Sequence, residues 1–135
     1  MRTPVADAFD TNVVLYVLSG DAAKANRAAQ LLERGGIISV QVLNEFTAVA
    51  VRKFGMRIDQ VRDLLATIRQ SCEVTPLDIT THERALEVVE RYRMSIYDAL
   101  IVAAALASEC STLWTEDLQH GQRIQRLTIR NPFVS

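Results

Sequence analysis

The sequence has almost no net charge. Its 15 Lys and Arg residues are balanced by 16 Asp and Glu residues, which gives a formal charge of −1. A chain without a basic excess has no global field to hold nucleic acid or an anionic membrane surface. Any contact with RNA or DNA therefore has to come from a local patch or a bound metal ion. The only lysines are Lys24 and Lys53, and the remaining cations are arginines, which suit bidentate contacts with phosphates or carboxylates.

Cysteine and long apolar runs are also scarce. Cys72 and Cys110 have neither CxxC spacing nor a histidine at ligand spacing, which argues against a zinc site and indicates a reducing compartment. The N-terminal segment lacks the apolar core of a signal peptide, and no stretch approaches the ~18 apolar residues of a membrane span. We therefore expect a cytoplasmic protein.

No linker, repeat or low-complexity tract divides the 135 residues, so the length predicts a single domain. Short apolar runs alternate with longer runs of helical spacing. The predicted strands cover residues 5–10, 36–39, 73–78, 111–115 and 127–133. The predicted helical stretches cover residues 12–18, 21–36, 40–55, 58–72, 80–93 and 96–109. This alternation predicts an α/β fold with a mainly parallel sheet and helices on both faces.

Two of the predicted helices have clear end signals. The helix over 80–93 is expected to begin with a capping box of Thr80 and Glu83, and the helix over 40–55 ends at Gly55. The last helix, within "MSIYDALIVAAAL", is apolar on every side after Asp98, which indicates a buried position. A carboxylate at the start of such a helix is costly unless something pairs with it.

Four carboxylates fall near the predicted carboxyl ends of strands, where open parallel sheets bind their ligands. Asp10 closes the first strand and Asp117 follows the fourth. Asp98 opens the buried helix, and Glu45 lies about a turn and a half into the helix after the second strand. We expect these side chains to meet at one edge of the sheet.

Each carboxylate also has an ordinary structural interpretation. Asp10 fits a helix cap, and Glu45 alone fits a solvated helix residue. Asp98 fits the acidic half of a capping box with Ser95, and Asp117 fits a turn residue.

The energetics favour a cluster that holds a cation. Two carboxylates ~4 Å apart repel by ~4 kcal/mol at an effective dielectric constant of 20. Three or four together would cost a large part of the ~5–15 kcal/mol that stabilises a domain. Oxygen ligands without histidine or cysteine favour Mg²⁺ or Mn²⁺ over zinc, and such ions usually act on phosphates.

The segments "FDTNVVLY", "NEF", "YDALIVAAAL" and "TEDLQHG", in this order and spacing, resemble PIN-domain ribonucleases. Within that family the chain is similar to VapC-type toxins of bacterial type II toxin–antitoxin pairs. The likeness covers nearly the whole chain, including the terminal "LTIRNPF". It implies a single PIN domain over residues 1–135, a three-layer α/β/α sandwich and a mainly parallel five-stranded sheet of order 3-2-1-4-5.

The resemblance further implies a Mg²⁺- or Mn²⁺-dependent endoribonuclease that acts as a toxin. Asp10, Glu45, Asp98 and Asp117 occupy the family's four acidic positions, with none substituted. The three aspartates would hold one or two metal ions, and Glu45 would help to orient the attacking water. Cleavage would leave 5′-phosphate and 3′-hydroxyl ends.

Supporting residues and partners are implied in the same way. Asn12 and Thr115 fall where the family keeps polar residues near the metal. The expected partners are an RNA substrate, a small cognate antitoxin that blocks the pocket, often with an arginine, and a second copy of the chain in a homodimer.

Other interpretations remain or are set aside. A catalytically silent PIN fold that binds RNA or a partner stays open. A HAD-like phosphatase needs a second aspartate where Asn12 stands, and a response-regulator receiver needs a lysine after Lys53. Trp114 and Tyr97 are expected to pack in the core and not to stack on bases.

Overall fold

The structure is a computed structural model, and it describes residues 7–134. Within this range the six strands form one sheet of order β3-β2-β1-β4-β6-β5. The strands are β1 (Asp7–Phe9), β2 (Gly36–Ser39), β3 (Cys72–Thr75), β4 (Thr112–Trp114), β5 (Arg123–Ile124) and β6 (Leu127–Arg130). Residues 5 and 6, the predicted start of the first strand, lie outside the described residues.

The mainly parallel sheet confirms the predicted fold class. β1 is central and pairs in parallel with β2 and β4, while β2 pairs with β3 and β4 with β6, also in parallel. The predicted order of the five strands is confirmed, with β6 as the predicted fifth strand. The predicted number is wrong, because the two-residue β5 adds a sixth strand antiparallel to β6. A hairpin this short has too few residues to show the alternation of apolar and polar side chains by which strands are predicted from a sequence.

The central strands approach each other closely at Gly36, the first residue of β2. A Cβ atom there would lie 2.6 Å from the carbonyl oxygen of Asp7 and 2.6 Å from a ring carbon of Phe9. Any side chain at this position would push β1 aside, so glycine is the residue that lets β2 lie against β1. The position of β1 matters because Asp10 follows it directly.

Six α-helices and a short 3₁₀ helix, Tyr16–Leu18, connect the strands in the described part of the chain. The α-helices are α1 (Thr11–Leu15), α2 (Ala22–Glu33), α3 (Val40–Phe54), α4 (Ile58–Arg69), α5 (Ile79–Tyr92) and α6 (Ile96–Ala107). The chain moves in one direction across the sheet from β1 to β3 and then crosses to β4. Because parallel crossovers are right-handed, this reversal places α5 and α6 on the opposite face from α1–α4.

The helix ends agree with the sequence at α3 and differ at α5. α3 ends at Gly55, whose backbone is left-handed with φ 64°, as expected. The capping box predicted for Thr80 and Glu83 is wrong: Asp78 is the N-cap of α5, and its carboxylate accepts from the backbone N–H of Thr81. The predicted third strand, 73–78, therefore ends earlier, at Thr75.

The predicted buried helix is α6. Its eight residues 99–106 are all buried, and most belong to the single cluster of core side chains that also includes Phe9, Phe46 and Leu113. Burial on all sides fixes the start of α6, and therefore the position of Asp98 in its first turn.

No helix among residues 7–134 has the length and apolar character that crossing a membrane requires.

Candidate metal centre and active site

The site lies where the chain reverses its direction across the sheet. β1 and β4 are neighbours in register, with Phe9 opposite Trp114, and their connections lead to opposite sides. The backbone N–H of Asp10 donates to the carbonyl of Trp114 at 3.0 Å. The residues that leave the two strands therefore start from the same edge, which is the usual ligand position in an open α/β sheet.

Three aspartates converge at this edge. One carboxylate oxygen from each of Asp10, Asp98 and Asp117 lies within 4.8 Å of the other two. They come from the end of β1, the first turn of α6 and the loop after β4. Asp10 is buried, Asp98 is partly buried and Asp117 is exposed. The cluster therefore has a closed base and a side open to solvent, so that a ligand can reach it.

Asp10 forms the buried base of the cluster, with 4% of its surface exposed. One carboxylate oxygen accepts from the backbone N–H of Thr11 at 2.6 Å, and the other accepts from the hydroxyl of Thr115 at 2.6 Å. Burial raises the pKa of Asp10 from 3.8 to about 7, and the nearby charges of Asp117 and Asp98 act in the same direction. Without a cation, a charged Asp10 is therefore unfavourable.

Asp98 combines a helix-start position with a place in the cluster. Ser95 caps α6, and its hydroxyl accepts from the backbone N–H of Asp98 at 3.1 Å. Burial raises the pKa of Asp98; the nearby charges of Asp117 and Glu45 raise it further, and a hydrogen bond with Ser95 opposes the rise. The capping interaction is therefore real, but it does not remove the cost of the neighbouring carboxylates.

Glu45 lies beside the three aspartates and is not part of their group of converging oxygens. The hydroxyl of Thr11 donates to one carboxylate oxygen at 2.7 Å, and the side-chain amide of Gln41 donates to the other at 2.8 Å. Glu45 still raises the pKa of Asp98 through its charge. Its carboxylate is thus held in a fixed direction near the cluster, which a solvated helix residue would not be.

Thr11 and Gln41 were missed by the sequence analysis. Both are buried polar residues, and both direct their donors at Glu45. Gln41 lies four residues before Glu45 on α3, the spacing at which helical side chains meet. That spacing was the available signal, whereas the contact from Thr11 spans 34 positions and leaves no local trace.

Asn12 and Thr115 connect the two strand ends. The amide of Asn12 donates to the Thr115 hydroxyl at 3.4 Å, and its carbonyl oxygen accepts from the backbone N–H of Glu116 at 3.4 Å. The Thr115 hydroxyl also accepts from the backbone N–H of Asp117 at 3.0 Å. The loop that carries Asp117 is therefore tied to the start of α1.

Glu116 is not one of the three converging acids, and its side chain lies near α2. Its carboxylate lies 3.9 Å from the ammonium of Lys24, and a hydrogen bond to it raises the pKa of the Tyr16 hydroxyl. The Lys24 ammonium also lies 5.1 Å from the ring centres of both Tyr16 and Phe133. The sequence analysis did not assign Glu116 a role.

The two aromatic residues near the site differ in burial. Trp114, at the end of β4, is buried, and the guanidinium groups of Arg27 and Arg130 lie 5.6 Å and 4.8 Å from its ring centre. Its indole N–H donates to Asp7 at 3.1 Å. Tyr97 is 60% exposed, so its predicted core position is wrong. It lies in the first turn of α6, one residue before Asp98 and two before the buried run begins.

The donor set fits a hard divalent cation. All three converging ligand atoms are carboxylate oxygens, which Mg²⁺ and Mn²⁺ prefer. Oxygens bound to one Mg²⁺ at about 2.1 Å lie roughly 3–4 Å apart, so a spread within 4.8 Å suits direct or water-mediated binding. A cation would also offset the cost that keeps the pKa of Asp10 high.

The fold is shared with solved toxin structures. A toxin–antitoxin complex from Klebsiella pneumoniae is 21% identical with a TM-score of 0.71, covering 95% of this chain and 98% of that one. A DNA-bound VapBC from Salmonella typhimurium is 17% identical with a TM-score of 0.69, covering 95% and 98%. The Mycobacterium tuberculosis toxin VapC20, described as cleaving the sarcin–ricin loop, is 19% identical with a TM-score of 0.64, covering 80% and 87%.

The comparison with curated proteins gave no match. The PIN domain family, in contrast, matches residues 8–124. This range contains all four carboxylates, the last two residues of β1 and the strands β2 to β5. The chain therefore belongs to the PIN-domain family.

Proposed function

We propose that this protein is a metal-dependent endoribonuclease and the toxin of a toxin–antitoxin pair. The observation that carries the nuclease proposal is the convergence of Asp10, Asp98 and Asp117 within 4.8 Å at one edge of a PIN domain. The toxin proposal is supported by the fold, since several structures that share it are toxins or toxin–antitoxin complexes.

In this proposal Asp10, Asp98 and Asp117 hold one or two Mg²⁺ or Mn²⁺ ions. A divalent cation here would stabilise the charge that develops on the phosphoryl oxygens during hydrolysis. Asp10 is held by donors on both of its oxygens, so its direction toward the cluster does not depend on the cation. Asp117, which is exposed, is the aspartate most accessible to substrate.

Glu45 is proposed to orient the attacking water. Thr11 and Gln41 fix its two oxygens, and a carboxylate has lone pairs left to accept a further hydrogen bond. Water would attack the phosphorus as the bond to the 3′-oxygen breaks, which leaves a 5′-phosphate and a 3′-hydroxyl. Asn12 and Thr115 would support this arrangement through the contacts described above.

The proposal predicts cleavage that depends on the metal. The purified protein should cut RNA in Mg²⁺ or Mn²⁺ and stop when EDTA is added, because the clustered carboxylates alone cannot stabilise negative charge that develops on the phosphoryl oxygens. Gel analysis of a labelled RNA, with and without chelator and with metal added back, measures this. Cleavage that survives EDTA would refute the metal site. Metal binding without any cleavage would leave the catalytically silent RNA- or partner-binding module.

The partner proposal predicts a difference between expression alone and expression with a partner. The chain should arrest growth when it is expressed alone and be silent when a small antitoxin encoded beside its gene is co-expressed. Growth curves measure the effect, and the Asp98→Asn variant expressed alone is the matched control. Harmless expression of folded, RNA-cleaving protein without any partner would contradict the toxin role.

Three further expectations stay predictions. They are the single domain over residues 1–135, the homodimer and the cytoplasmic location.

A further inference from the structure

A pocket of about 430 Å³ opens beside the metal centre. Its lining includes Asn12, Leu15, Tyr16, Lys53, Phe54 and Glu116. Two of these residues connect it to the cluster: Asn12 bonds to the Thr115 hydroxyl that holds Asp10, and Glu116 directly precedes Asp117. A ligand in this pocket would therefore lie next to the acids, and the function proposed above makes no use of it.

One side of the pocket has the character of a stacking surface. Phe54, the last residue of α3, is 43% exposed although it is a large aromatic residue. The ammonium of Lys53 lies 5.9 Å from its ring centre, and among residues 7–134 no carboxylate lies within 4.0 Å of that ammonium. An exposed ring beside an unpaired cation suits a base together with its phosphate.

The other side presents a hydrogen-bond acceptor. The Glu116 carboxylate is held by the Tyr16 hydroxyl and lies near Lys24, yet 26% of its side chain remains exposed. A carboxylate has about four lone-pair sites, so it can accept further hydrogen bonds. The only two lysines of the chain, Lys24 beside Glu116 and Lys53 in the lining, offset its repulsion of a phosphate backbone.

We propose that this pocket binds the base of an unpaired RNA nucleotide next to the cleaved phosphate, and that Glu116 selects guanine. Phe54 stacks on the base and Lys53 contacts a neighbouring phosphate. Guanine is the base that presents two adjacent N–H donors, N1–H and the 2-amino group, to one carboxylate. Adenine and cytosine offer only an amino group beside an acceptor, and uracil offers one N–H between two acceptors. This inference rests on the proposed RNA cleavage and adds a base preference to it.

An RNA base fits the pocket better than an apolar side chain of a protein partner. A purely apolar occupant would bury the Lys53 ammonium without a partner and leave the free acceptor sites of the Glu116 carboxylate unused, which is costly. A guanine nucleotide satisfies both groups and covers the Phe54 ring.

The test is cleavage of a single-stranded RNA pool of random sequence in Mg²⁺, with the new ends sequenced. The wild type should enrich guanine at one position beside the cut. Glu116→Gln should lose this preference by roughly 5- to 150-fold, the range for a bidentate base contact. Phe54→Ala should slow cleavage of all sequences by a similar factor, because stacking does not depend on the base. Ile79→Ala, an exposed apolar residue on α5, is the control and should match the wild type.

Two further measurements separate the inference from the proposed function. Mg²⁺ should raise the melting temperature of Glu116→Gln as much as that of the wild type, which shows an intact metal centre. GMP should stabilise the wild type more than AMP, CMP or UMP, and Glu116→Gln should lose this difference. This second readout does not require cleavage.

Each result decides between the two proposals. Cleavage without a guanine preference, or a preference that Glu116→Gln retains, overturns the base pocket and leaves the nuclease. No cleavage together with selective GMP binding overturns the nuclease and leaves the pocket. Equal responses to all four nucleotides overturn the pocket. Unchanged cleavage in Phe54→Ala also overturns it and assigns the exposed ring to a protein contact.

Discussion

Replacing Asp98 with asparagine is expected to lower RNA cleavage by roughly 10²- to 10³-fold, since a metal centre supplies several kcal/mol of transition-state stabilisation. The same variant should lose the stabilisation that Mg²⁺ gives the wild type, because a ligand stabilises the native state only while it binds. In EDTA its stability should be unchanged or higher. Burial and the charges of Asp117 and Glu45 raise the pKa of Asp98, so a neutral amide removes repulsion.

A matched control variant distinguishes the metal-ligand role of Asp98 from a helix-capping role. Asp78 lies at the start of α5 as Asp98 lies at the start of α6, and it caps α5 through the Thr81 N–H. Asp78→Asn keeps a capping side chain and removes only one exposed charge at the helix start, so it should change stability slightly and equally in EDTA and Mg²⁺, with cleavage unaffected. Melting curves of both variants and the wild type in each buffer make the comparison. An Asp98→Asn protein that is less stable in EDTA and still cleaves RNA would contradict the metal-ligand role of Asp98 and leave it only a stabilising role at the start of α6.

The metal-free protein is expected to lose stability as the pH rises from about 4 to about 7. The pKa of Asp10 is raised from 3.8 to about 7 in the folded state, so the folded protein binds this proton more tightly than the unfolded chain does. The stabilisation is complete below pH 3.8 and is lost as the pH rises through 7. At 1.36 kcal/mol for each pH unit, the interval from 3.8 to about 7 corresponds to about 4 kcal/mol.

Unfolding by urea in EDTA, at pH values from 5 to 8, measures this loss. Asp10→Asn, which has no carboxyl proton to lose, should flatten the dependence and be the more stable protein at pH 8. Mg²⁺ should reverse the trend in the wild type, because the cation competes with the proton and gains as the pH rises. A wild type whose metal-free stability is constant or increases over this range would show that Asp10 is charged in the free protein.

The arrangement of the acids at one edge of the sheet follows from patterns that can be recognised in the sequence. Asp10 and Asp117 follow strands, and parallel strands end at the same edge. Asp98 begins a helix whose apolar run had to be buried, which placed it against the sheet. The roles of these residues in catalysis and metal binding stay predictions, but their proximity was predictable from strand ends and hydrophobic pattern.

The structural details that the sequence did not predict depend on contacts between distant segments or on very short elements. The Thr11 contact with Glu45 joins residues far apart in the chain, and no local pattern encodes it. β5 has only two residues. Tyr97 was predicted to pack in the core because it lies on a helix, yet a residue in the first turn of a helix can still face outward. In each case the position of the residue in the folded protein determined its contacts, and the composition of the local segment did not.

Trp114 is an intrinsic fluorescence probe of this protein. It is the only tryptophan in the chain, so all indole emission comes from one buried position that lies close to two guanidinium groups and directly before Thr115. Its spectrum would shift to longer wavelength when unfolding exposes it to water. The backbone carbonyl of Trp114 accepts from the N–H of Asp10, so this emission comes from a residue that is hydrogen-bonded to a member of the aspartate cluster. Unfolding can thus be followed without a label.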